Sequence, residues 1–131
     1  MKNNPINQKL IVAYYLTGGS MEMDCLFQDR ILNAYAAKYG LPEADSEFTY
    51  CSFPLGEDES ANDNYQQLLS DIRLHTNAEK TQFLLMVYSK HSIATSRHFA
   101  NIFEKGVKNA GAQMVYVKQG EPPPFLQYEL F

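Results

Sequence analysis

Tryptophan is absent, cysteine occurs twice (Cys25, Cys51) and arginine three times (Arg30, Arg73, Arg97) in the 131 residues. Each scarcity excludes something. Two cysteines far apart in sequence, with no CxxC spacing, argue against a disulfide scaffold or a structural zinc site; they read as reduced, buried side chains of a cytoplasmic protein. Few arginines and a net charge of -4 argue against a chain that grips nucleic acid through a basic surface. The only candidate leader or membrane segment is the run LIVAYYL (Leu10 to Leu16). It falls far short of the roughly 20 apolar residues a spanning helix needs, so no membrane role is expected.

The composition itself is that of a folded protein, with 45% apolar and 20% charged residues and no repeat or low-complexity segment. One domain over 1–131 is expected, with its core at about 9–119 and a tail at 120–131. KLIVAYY (Lys9 to Tyr15) reads as a strand buried on both faces. Between Met23 and Tyr39 the period changes, and Leu32, Tyr35, Ala36 and Tyr39 share one helical face, stopped by Gly40 and Pro42. EFTYCSF (Glu47 to Phe53) reads as a second strand. A helix through Tyr65, Leu68, Leu69 and Ile72 follows, then a strand over Gln82 to Ser89. Phe99, Ile102, Phe103, Val107 and Ala110 mark a third helix ended by Gly111, and AQMVYVKQ a fourth strand. The tail's three consecutive prolines exclude a helix there, though Phe125 to Phe131 suit an edge strand or a partner contact.

This alternation predicts a three-layer α/β/α fold around a mostly parallel sheet of four to five strands. Ligands of such sheets bind beyond the carboxyl ends of the strands. Three loops then share the functional edge: Thr17 to Glu22, Pro54 to Asn64, and Ser89 to Thr95. In the first, Gly18 and Gly19 would let backbone amides approach an anion, and Ser20 suits either a nucleophile or a helix N-cap. The second holds Glu57, Asp58, Glu59 and Asp63 without regular metal-ligand spacing, so a solvated loop is expected and neither metal nor cofactor is implied. The third supplies His91 and Ser92; His91 is the histidine placed where a general base would be useful. His75 and His98 fall on helices and read as surface positions.

The succession of segments resembles the N-terminal catalytic domain of the serine recombinases, the resolvase and invertase family. VAYYLTGGS sits where that family has a strand leading into Y-x-R-V-S-T. QDRILNAYAAKYGL is similar to the helix that follows, with Gln28, Leu32, Tyr35, Ala36 and Gly40 matching. NDNYQQLLSDI is similar to R-P-x-F-x-x-L-L, LLMVYSKHSIATS to V-Y-K-L-D-R-L-S-R, and AGAQMVYV to the next strand. The resemblance spans about residues 9 to 119 and implies a resolvase-like fold, a serine that attacks a DNA phosphodiester, and arginines that stabilise the charge on the phosphate.

The chain departs from that pattern at the chemistry. Counting back from Gln28 places the nucleophile at Gly19, with Ser20 one residue late, the motif arginines on Thr17, Asn62, Ser92 and Thr95, and the aspartate of the D-R-x-x-R set on His91. Arg97 looks unable to replace the arginine at Thr95, since two steps along a helix turn a side chain by about 200°. With each donor worth about 3 kcal/mol in a comparable role, cleavage is not expected. The resemblance then implies a degenerate domain that pairs with itself or with an intact recombinase and meets DNA weakly or through that partner. The sequence leaves two alternatives: an active enzyme using Ser20, and a flavodoxin-like module holding a phosphorylated ligand or nucleotide at Thr17, Gly18, Gly19, Ser20, Gln28, His91 and Ser92.

Overall fold

A computed structural model describes residues 9–18, 24–57, 62–77 and 81–124. In chain order they form β1 (Lys9–Thr17), α1 (Cys25–Lys38), β2 (Thr49–Ser52), α2 (Asp63–Asn77), β3 (Thr81–Val87), α3 (Lys90–Ile93), α4 (Arg97–Ala110) and β4 (Gln113–Tyr116). The four strands make one all-parallel sheet in the order β2-β1-β3-β4. The expected α/β fold is therefore present, with four strands among the described residues. Tail residues 125–131 lie outside them.

The strand order follows from burial. Ile11 to Thr17 are all buried, so β1 needs a strand on each side and a helix layer on each face. Tyr14 to Thr17 pair with Thr49 to Ser52 on one side, and Lys9 to Tyr15 pair with Thr81 to Val87 on the other. Alternation then divides the core. Val12, Tyr14 and Leu16 meet Leu32, Tyr35 and Ala36 of α1. Ile11, Ala13 and Tyr15 meet Leu68, Leu69 and Ile72 of α2 and Phe103 and Val107 of α4. One helix on one face and two on the other is what right-handed crossovers give for this order.

Polar pegs fix each helix to the layer beneath it. The Tyr14 hydroxyl donates to Asn33 Oδ1 of α1 at 2.8 Å, and those of Tyr50 and Tyr116 donate to Asp71 of α2 and Glu104 of α4. Tyr65 of α2 reaches the Ile102 carbonyl of α4 at 3.2 Å, over Gly106. A Cβ at Gly106 would collide with the Tyr65 hydroxyl and stand 3.2 Å from Cζ. The two helices meet closely because this position has no side chain.

Three expectations change. The second strand starts at Thr49, because Ser46–Phe48 turn as a 3₁₀ segment that drops Phe48 into the core against Phe83 and His75. The N-cap of α1 is Asp24, whose carboxylate accepts the Phe27 N–H at 2.9 Å, so Ser20 is not that cap. Cys25 and Cys51 are neither reduced nor both buried. They form a disulfide with Cα atoms 6.7 Å apart, Cys25 half-buried and Cys51 exposed. Their distance in sequence conceals this: pairing Thr17 with Ser52 brings the start of α1 back beside β2. With it goes the argument for a cytoplasmic location that rested on free thiols. Among the described residues no helix is long and apolar enough to cross a membrane.

Gly106→Ala should lose stability despite alanine's better helix propensity, because overpacking costs about 1–3 kcal/mol against a propensity gain of at most about 1. Urea denaturation measures the sign; a stabilised variant would mean that α2 and α4 do not pack this closely. A second expectation concerns alkali. Burial, the largest cause in each case, pushes Tyr14 and Tyr65 up to about 12 and raises Tyr15, Tyr35, Tyr50 and Tyr116 as well. The unfolded chain releases these protons near pH 10 while the folded one keeps them. Stability should be level below about pH 10 and fall as pH climbs towards 12, with tyrosinate absorbance from these six side chains appearing together with unfolding.

Candidate functional site

The order β2-β1-β3-β4 reverses direction between β1 and β3, which opens a crevice at their carboxyl ends. The helices run back against the strands, so α1, α2 and α4 all present their N-termini to this edge. Its two halves differ in chemistry.

On the β1 side the side chains are committed to structure. Gln28 is fully buried, and its amide clamps the end of β1: Oε1 accepts the Thr17 N–H at 3.0 Å and Nε2 donates to the Thr17 carbonyl at 2.9 Å. Thr17 is itself fully buried, and its hydroxyl finds no hydrogen-bond partner among the described residues. The Gly18 N–H, expected to face an anion, donates to the Ser52 carbonyl at 2.7 Å. Gly19 and Ser20 lie outside the described residues. Asn62, in the place of a motif arginine, has a buried Oδ1 that likewise lacks a partner among them.

On the β3 side a cleft of about 590 Å³ opens between the loop after β3, the N-terminus of α4 and the turn after β4. Lys90, His91, Thr95, Ser96, Arg97 and Lys118 line it. His91 is thus where the sequence placed it, at the functional edge. Ser92 does not line the cleft. It is buried in a capping box, accepting the Ser89 N–H at 3.3 Å and donating to the Ser89 carbonyl at 2.8 Å.

Arg97 and Lys118 were missed, for different reasons. The rotation argument against Arg97 fails because Thr95 and Ser96 precede α4, with Ser96 as its extended N-cap; Thr95 and Arg97 therefore line one cleft. Lys118 reaches the cleft because the 3₁₀ turn Val117–Gln119 folds over the end of β4, where its N–H donates to the Tyr88 carbonyl at 2.8 Å. Its ammonium stands 5.6 Å from the Tyr88 ring centroid. The sequence reading of AQMVYVKQ as one strand hides that turn.

The floor of the cleft is rigid. Leu55 N–H donates to the Ile93 carbonyl at 2.8 Å and Thr95 N–H to the Leu55 carbonyl at 2.9 Å, so the loops after β2 and β3 continue the sheet by one bridge. Lys90 shares its charge with Glu104, 3.7 Å away. Among the described residues no cluster of three metal-ligating side chains exists; Asp58 and Glu59 of the second loop lie outside them. The arrangement can hold an anion through a guanidinium, ammonium groups and hydroxyls. No protein-family profile and no curated protein sequence matches this chain.

The clamp on β1 yields a test. Gln28→Met keeps the volume and removes both bonds, leaving the Thr17 N–H and carbonyl buried without this partner at a cost of about 1–3 kcal/mol each. Denaturant unfolding should show a loss of about 2–6 kcal/mol for the two groups together. An unchanged midpoint would mean that Gln28 is available to a ligand and does not hold the strand.

Proposed function

We propose that this protein is a serine-recombinase-like, resolvase-like binding module, associated with site-specific DNA recombination but without strand cleavage. The observation that carries the reading is the division of the carboxyl edge. Lys90, His91 and Thr95, from the segment similar to V-Y-K-L-D-R-L-S-R, and Arg97 just after it line a cleft suited to phosphate, while Thr17, from the segment of the nucleophile, and Gln28, from the helix that follows, are buried in the scaffold. Phosphate contacts without the full set of charge-stabilising donors favour binding over reaction. A net charge of -4 agrees with weak DNA contact, made stronger through a second copy or an intact recombinase.

The experiment is a paired one on duplex DNA. Fluorescence anisotropy over a salt series should show weak binding, with Arg97→Gln and Lys118→Gln each lowering the salt slope by about 1. Denaturing electrophoresis of the same mixtures should show no covalent protein–DNA adduct. An adduct that disappears in Ser20→Ala would replace this reading with that of a divergent active recombinase. Salt-independent anisotropy in all three proteins would remove the phosphate cleft from it.

A second reading rests on size. A cleft of about 590 Å³ falls within the range of small-ligand sites, roughly 300–1,000 Å³, so a phosphorylated metabolite or nucleotide fits as well as a DNA backbone. Thermal unfolding that rises with nucleotide concentration, and does so without DNA, selects this reading.

A further inference from the structure

The Cys25–Cys51 bond lies apart from the phosphate cleft, and its two sulfurs have unequal surroundings. Cys25 opens α1 and is half-buried, with Gly18 against it: a Cβ placed on Gly18 would stand 3.6 Å from its Sγ. Cys51 is exposed on β2, a strand with β1 on one side and no described strand on the other. Bonds other than the disulfide hold this part of β2 in place. Gly18 N–H donates to the Ser52 carbonyl at 2.7 Å, and Asn64 Nδ2 donates to the Cys51 carbonyl at 3.0 Å. The disulfide is therefore an added tie between the start of α1 and an already anchored strand.

We propose that this disulfide is a reversible thiol-exchange site, with Cys51 as the sulfur that takes the incoming thiol. A thiolate attacks Cys51 Sγ, the new S–S bond forms there, and Cys25 leaves as a thiolate. The leaving group favours this direction, because the backbone N–H groups and dipole at the start of α1 stabilise a negative sulfur. With a monothiol of the glutathione class the product is a mixed disulfide on Cys51. With a dithiol, its second thiolate attacks its own sulfur in that mixed disulfide and releases Cys51. The dithiol then loses two electrons and becomes a disulfide, while the protein gains two electrons and two protons. Opening the bond unties the first turn of α1 from β2 and leaves the β1–β3 pairing intact. None of this depends on what the cleft binds.

The test uses the full chain in glutathione redox buffers, quenched by alkylation and weighed by mass spectrometry. Disulfide and dithiol forms should interconvert without denaturant. Reduced glutathione added to the disulfide form should give, on quenching, the mixed disulfide on Cys51 with Cys25 alkylated, forming on the order of tenfold faster than the reverse product. Hydrogen exchange should show protection lost on reduction in the first turn of α1, with β1 and β3 unchanged. A bond that opens only after denaturation, equal rates at the two cysteines, or thiols that never pair would overturn the proposal.

Discussion

Every other element of this protein answers to the burial of β1 on both faces and both edges. A strand from which water is excluded over seven consecutive residues, Ile11 to Thr17, must have each backbone N–H and carbonyl paired and each side chain packed. β2 pairs one edge from Tyr14 to Thr17, but β3 pairs the other only as far as Tyr15, two residues short of the end of β1. There the Gln28 amide takes both backbone groups of Thr17, so a helix side chain completes what a strand would otherwise supply. The same side chain orients α1 across the sheet. Position 28 thus joins the strand that organises the core to the loop that begins the functional edge.

Tyrosine does for the layers what Gln28 does for the strand end. Its ring fills core volume, and its hydroxyl reaches the polar flank of the next helix, so one residue supplies both cohesion and register. Pegs from Tyr14, Tyr50 and Tyr116 fasten one helix each, α1, α2 and α4, to the sheet. Tyr35 extends the pattern to the end of the described chain by donating to the Glu121 carbonyl. The helix N-termini are held at the carboxyl edge by these contacts, and the cleft inherits its fixed geometry from them.

Much of this was legible in the sequence, because it depends on periodicity. The double-sided burial of β1, the faces of α1 and α2, that of α4 except for Ile102, which is exposed, and the stop at Gly111 are all local patterns of apolar residues. What depends on the path of the backbone between elements was not legible. Phe48 turns inward through a 3₁₀ segment instead of alternating along a longer strand. Cys25 and Cys51 meet because a crossover returns the chain. Arg97 shares a cleft with Thr95 because α4 starts two residues later than helical counting assumes. At the site, His91 was placed correctly at the edge, whereas Ser92 and Gln28 are polar residues whose hydrogen-bonding groups are engaged within the fold. A motif position gives a residue type; it does not show whether the side chain faces solvent or the backbone beside it.

The strand order has a further consequence on the ribosome. β1 is made first, yet its longer partner begins only at Thr81, after α1, β2 and α2 have been synthesised. At about 5–20 residues per second, an edge of apolar and aromatic residues waits several seconds without the strand that covers it. Such a segment is a template for pairing between nascent chains. Slow passage through the middle of the message lengthens that exposure, so the sheet that makes the finished protein compact is also the point at which its synthesis is most open to aggregation.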